Sequence, residues 1–193
     1  GKSIRGFSSN GNSTDSLPPA LTPEDDTQDY LWLVTRSGDS VVVATAAPTS
    51  FSNLITQAGI GTASASSNTA EYQLNASSIT PGVFTSTTEQ WVSFTIAISP
   101  LDRSSEVLKY VGGKTAERAA AGTWSTSLTD LSGGLADSPA AGDIVLVGFN
   151  VSDVSDITLG VTTSGYTEIS ELYSNDTYDS KISVSYEIMR GSI

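Results

Sequence analysis

The chain has 193 residues, and 9 Lys+Arg against 21 Asp+Glu give it a formal net charge of −12. It contains no Cys and no His, which excludes a disulfide framework, thiolate or imidazole catalysis, and the ordinary zinc, haem and iron–sulfur ligand sets. Its acidity offers no basic surface for phosphate, so no nucleic-acid partner is expected, and no apolar run approaches the roughly 20 residues of a membrane-spanning helix, so no membrane partner is expected either.

In chain order, Gly1–Pro23 is rich in Ser, Asn and Pro and poor in apolar residues, which predicts an extended arm that orders on a neighbour. The opening Gly1-Lys2-Ser3-Ile4-Arg5 lacks both Met and the apolar stretch of a signal peptide, so a processed product or an internal segment is expected. Tyr30–Val34 is a nearly continuous apolar run, as in a core strand. Val41–Ala44 follows the turn residues Ser37-Gly38-Asp39, and Ala70–Leu74 and Val83–Thr85 are further short strands. Trp91–Ile98 alternates, with Val92, Phe94, Ile96 and Ile98 as its core face, and Pro100 stops it. In the second half, Val107–Val111, Trp124–Leu131, Asp143–Phe149, Ile157–Val161, Tyr166–Leu172 and Ile182–Met189 read as strands. Lys114–Ala121 has room for one or two helical turns before Gly122.

The two halves share an order of segments. Leu31–Val34, Pro48–Leu54 and Ala70–Leu74 correspond to Ile144–Val147, Thr163–Ile169 and Val184–Ile188. This predicts an all-β chain of two tandem β-sandwich or jelly-roll-like units, 1–100 (with the arm 1–23) and 101–193, joined near Pro100–Arg103. The second unit has no counterpart of Trp91–Ile98. Either the chain is a piece of a longer protein, the favoured expectation, or strand exchange with the first half or a neighbouring subunit completes that unit.

The same segments carry a family likeness. Leu17–Pro23, Asp29–Leu33, Ala47–Leu54, Pro81–Phe84 and Gln90–Pro100, followed by Ala141–Val147, Thr163–Ile169 and Tyr186–Ile188, resemble the repeated β-sandwich modules of tailed-bacteriophage and prophage virion structural proteins. The resemblance covers most of the chain but consists of strand-and-turn pattern, with no catalytic motif. It implies a non-enzymatic virion component of the capsid surface, tail or fibre. Such a component would assemble through β surfaces with other virion proteins and copies of itself. The alternative is an extracellular or phage-borne adhesin that binds host-surface glycans.

Candidate chemistry is thin. Glu24-Asp25-Asp26 with Asp29, Asp153 with Asp156, and Asp176 with Asp179 could each present oxygens to calcium, but none has EF-hand spacing, so no metal and no cofactor are expected. Glu71, Glu89, Glu168, Glu171 and Glu187 supply carboxylates without a spacing that pairs two of them for glycoside hydrolysis. Tyr110-Val111-Gly112-Gly113-Lys114 has a Tyr-x-x-x-Lys string, but its glycines break the helix that reductase chemistry requires. The sequons at Asn12, Asn75, Asn150 and Asn175 arise easily in a Ser/Thr-rich chain. No catalytic residue is therefore expected. Trp124, Tyr173 and Tyr178 are the aromatics expected to reach a glycan or a partner, while Trp32, Phe51, Trp91 and Phe94 read as core.

Overall fold

The structure is a computed structural model, and it describes residues 4–23, 28–60, 66–99, 109–118, 122–153, 156–173 and 179–191. The described residues contain eight strands and no helix: β1 (Ile4–Ser16), β2 (Gln28–Gly38), β3 (Ser52–Gln57), β4 (Ser66–Ala76), β5 (Phe84–Ile98), β6 (Ile144–Asp153), β7 (Thr167–Tyr173) and β8 (Asp179–Ile188). They form two antiparallel sheets, β1-β5-β2-β4-β3 and β6-β8-β7. The order β2-β4-β3 in the first sheet has the same connectivity as β6-β8-β7 in the second. Both carry a register shift on the edge strand, between Ser52 and Ile55 in one and between Glu168 and Ser170 in the other.

The expected strands at Tyr30–Val34, Ala70–Leu74, Asp143–Phe149, Tyr166–Leu172 and Ile182–Met189 lie within β2, β4, β6, β7 and β8 or overlap them closely. The expected Val83–Thr85, from Phe84 on, and Trp91–Ile98 join into the single 15-residue β5. Other expectations fail. Val41–Ala44, Ile157–Val161, Trp124–Leu131 and the described part of Val107–Val111 are irregular, and 114–118 makes no helical turn. Val41 and Val42 are exposed, and the Ser66 hydroxyl donates to the Val42 carbonyl at 2.7 Å, taking an acceptor that a ladder would have used. The 1–23 arm is also corrected: Ile4–Ser16 is a 13-residue strand paired with β5 from Ile4↔Ile98 to Ser16↔Phe84. Backbone hydrogen bonds hold it there, so a polar strand can be ordered without burying its own apolar side chains. The junction near Pro100–Arg103 lies outside the described residues.

Two apolar clusters flank the first sheet. On one face, Tyr30, Trp32, Val34, Ala70 and Ala97 pack with Leu21, Ala44, Phe51 and Phe84. These last residues sit beside the sheet on connecting segments or at a strand end. The Leu21–Ile79 pair of backbone bonds, both 3.0 Å, and the bonds joining Thr45 and Ala46 to Thr85 fasten those segments down. On the other face, Val92, Phe94, Ile96 and Ile98 of β5 pack with Ile182 and Val184 of β8, together with Leu31, Leu33, Ile144, Leu146, Ile169 and Leu172. That cluster belongs to both sheets. Close approach is built into β1 as well: a Cβ on Gly6 would lie 3.0 Å from Ile169 Cγ2 of β7.

β5 therefore has cover on both faces, and every residue from Trp91 to Ile98 is buried. The alternation read from the sequence is real in direction, since Val92, Phe94, Ile96 and Ile98 share a face. Its polar-looking partner set, Ser93 and Thr95, is buried too, because Thr95 Oγ1 donates to the Pro19 carbonyl at 2.6 Å and Ser93 meets Ser9 at 3.2 Å.

Because the second cluster draws on both halves of the chain, the halves are expected to unfold together. Phe94→Ala should cost about 3–5 kcal/mol, read as a lower urea midpoint. Hydrogen exchange should show β2 and β8 losing protection in one transition.

Candidate functional site

Buried polar groups cost free energy unless they are paired, so a chain with few charges reveals its special sites by the charges it buries. Two such clusters stand out, one on each sheet.

The first lies where the apolar face of the first sheet gives way to polar residues. Arg36 on β2 is fully buried and ion-pairs with the buried Glu89 of β5 through Nη2 and Oε1. Arg36 Nε donates to Ser16 Oγ at 2.6 Å, and Ser40 Oγ donates to Glu89 Oε2 at 2.8 Å. Asn68, opposite Arg36 on β4, accepts from the Ala44 N–H at 2.7 Å. Gly38 makes room for the pair, since a Cβ there would collide with Glu89 Oε2. The cluster thus ties β1, β2, β4, β5 and the 39–46 segment together. Asp39 sits at its rim. Burial, and then the Glu89 charge, push its carboxyl above the ordinary aspartate value, against the opposing backbone hydrogen bonds and the charge of Arg36.

The second lies on the face of β6-β8-β7 that points away from the shared apolar cluster. Lys181 of β8 is buried, between Val151 of β6 and Tyr173 of β7 in register. Its Nζ lies 2.5 Å from Asp156 Oδ1 and 2.5 Å from Glu171 Oε1, and also donates to the Ile157 carbonyl. Glu171 in turn accepts from the Leu159 N–H at 3.0 Å. The Tyr173 ring centroid is 6.0 Å from Nζ. Burial alone would lower the Lys181 pKa. The hydrogen bonds and charges of Asp156 and Glu171 outweigh it, so the ammonium is held above the ordinary lysine range.

The residues singled out from sequence fare differently. Trp124 stands on the irregular 122–140 segment with 39% of its surface exposed. Tyr173 is half-buried beside Lys181, and Tyr178 lies outside the described residues. No described contact brings Trp124 and Tyr173 together. Of the carboxylates considered for calcium, Asp156 is engaged by Lys181, while Glu24, Asp25, Asp26 and Asp176 and the side chains of Asp29, Asp153 and Asp179 lie outside the described residues. Among the described residues no group of three acidic side chains converges as a metal site. Sequence reading passed over Arg36 and Lys181. Arg36 had a usable signal: a charge inside an apolar strand, two residues past Val34. Asp156 and Glu171 were considered as carboxylates, but nothing in their spacing joined them to Lys181.

No family model matches the chain, and no curated protein or solved structure matches it.

Removing one partner of the Arg36–Glu89 pair strands a buried charge. Glu89→Ala is expected to cost about 3–5 kcal/mol. The double variant Arg36→Met/Glu89→Leu should recover most of that loss in chemical denaturation. Asp39 gives a pH test. A carboxyl with a raised folded pKa holds its proton more tightly folded than unfolded, so stability falls as pH rises from its ordinary value of 3.8 through the raised one. Asp39→Asn should therefore be more stable than wild type above that window, with no gain below it, in melts run across acid to neutral pH.

Proposed function

We propose that the chain is a non-enzymatic structural module of a tailed-phage virion, its stacked sheets forming a β-sandwich that assembles through strand edges with other virion proteins and copies of itself. The supporting observation is the edge of β1. This strand runs 13 residues at the end of the five-stranded sheet, and among the described residues it is paired with β5 alone. It has no Pro and no Lys, the residues that natural edges use to discourage pairing. A long edge of this kind presents a row of backbone donors and acceptors to another strand. Antiparallel pairing of two copies about Asn10 sets Arg5 of one copy against Asp15 of the other, an oppositely charged match at both ends of a two-fold contact. The acidic, low-charge exterior suits a particle surface, where many copies sit side by side.

The glycan-binding alternative draws less support. Tyr173 packs toward Lys181, and only Trp124 of the proposed aromatics has a substantially open ring among the described residues.

Sedimentation velocity over a concentration series tests the assembly reading, together with protein identification in phage particles pelleted from the source cells. Wild type is expected to self-associate and to be present in the particles in many copies. Asn10→Lys/Asn12→Lys should shift it toward monomer without lowering its melting temperature. A wild-type chain that is monomeric throughout and missing from particles would refute the proposal.

A further inference from the structure

The Lys181 cluster has no part in edge pairing, yet it has the composition of a reaction centre. It holds one buried amine and two carboxylates, and both carboxylates touch that amine at 2.5 Å. The nucleophile is walled by Val151 and Tyr173, its register neighbours on either side. Asp156 lies on the irregular segment beyond β6, its side chain 63% exposed, and Glu171 lies on β7, so the three groups come from separate segments that meet at Lys181 Nζ. We propose that Lys181 and Asp156 condense to an intramolecular isopeptide bond, with Glu171 as the proton carrier.

The step balances without any co-reactant. The Lys181 ammonium gives one proton to Asp156, leaving a neutral amine beside a carboxylic acid. Nζ then attacks Asp156 Cγ, and a C–N bond forms. Glu171 takes a proton from nitrogen and returns it to the departing hydroxyl, the Cγ–O bond breaks, and one water leaves. Glu171 ends as it began. Of the three ammonium protons, one stays on the amide and two leave in the water, whose oxygen came from Asp156. Fixed proximity supplies what the free groups lack, since well-oriented intramolecular partners behave as if at about 10⁵–10⁸ M. General acid–base transfer by a group already bonded to the nucleophile lowers the barrier further. The two carboxylates hold Lys181 mainly as the ammonium, so the neutral pair is scarce and the bond accumulates slowly. The product would fasten the 156–161 segment covalently across the outer face of β8.

Intact-mass spectrometry of the full chain, aged for a week at growth temperature, tests this. The expected result is a mass lower than the sequence mass by one water, and a tryptic peptide pair joined through Lys181 and Asp156. Asp156→Ala and Glu171→Gln should each restore the full mass, with an unchanged far-ultraviolet circular dichroism spectrum showing that they fold. A wild-type chain at its full sequence mass, with Lys181 still open to acetylation after denaturation, would reduce the cluster to an ion pair and overturn the proposal. A water loss that persists in Asp156→Ala would overturn it as well.

Discussion

Burial of β5 on both faces is the constraint on which the rest of the structure depends. A strand with one wet face can spread polar residues over alternate positions, but β5 has no wet face from Trp91 to Ile98. Each side chain there must be apolar or find a partner. Val92, Phe94, Ile96 and Ile98 meet the first requirement against the second sheet, while Ser93 and Thr95 meet the second through Ser9 and Pro19. Neighbouring elements follow from this demand. β1 is held against β5 by its ladder, the 17–23 segment receives the Thr95 hydroxyl, and β8 supplies the apolar lid. Each buried apolar side chain of that lid contributes about 1.5–3 kcal/mol, so a few of them match the net stability of a typical domain.

The same double burial accounts for the Arg36 cluster. Farther along the sheet the apolar residues run out, and the face is closed by a charge pair with its own hydrogen-bond shell. Such a pair is a weak source of stability compared with an apolar replacement. What it provides is geometry: Arg36 Nε reaches Ser16 and Glu89 Oε2 accepts from Ser40, so β1 and the 39–46 segment each have one position that meets those two atoms. A shift of β1 by one residue would turn Ser16 away and leave Arg36 Nε without its acceptor. The polar strand most prone to slip is thus fixed at its far end by a buried charge.

How much of this was legible in the sequence depended on whether a strand carried its own signal. β2, β4, β6, β7 and β8 were readable because their apolar runs are bounded by turn residues. β1 was not, because its order comes from β5, whose partner residues run from Ile98 opposite Ile4 to Phe84 opposite Ser16, far away in sequence, and its own composition resembles a loop. Val41–Ala44 erred in the other direction: three valines in succession have strand propensity, but here the segment leaves the β2 ladder after Asp39 and crosses the sheet face, with Ala44 in the core. The shared strand order of the halves was visible as a matching order of segments, yet that order does not say which face is covered. Tyr72 lies opposite Trp32 on the face closed by connecting segments, whereas Tyr186 lies opposite Leu146 on the face that meets the other sheet. Similar strand patterns therefore bury opposite faces. Tyr173, one of the candidate aromatics, is half-buried with its ring centroid 6.0 Å from Lys181 Nζ on the neighbouring strand, a contact that sequence alone does not reveal.

The reversed burial also explains why the second sheet carries a charged clamp. In the first sheet the outer face is sealed by apolar residues from three connecting segments, Leu21 from one, Ala44 and Phe51 from the second and Ile79 from the third. The second sheet's other face sets Val145, Val147, Phe149 and Val151 of β6, which belong to neither buried cluster, beside Ser183, Ser185 and Lys181 of β8. The Lys181 stem covers apolar surface there, while its head draws two carboxylates and a carbonyl from the 156–161 segment and β7. The clamp is thus placed where packing is weakest, on a three-stranded sheet whose β7 edge lies against β1. Fastening β7 and the 156–161 segment to β8 stiffens the layer that lies against β1.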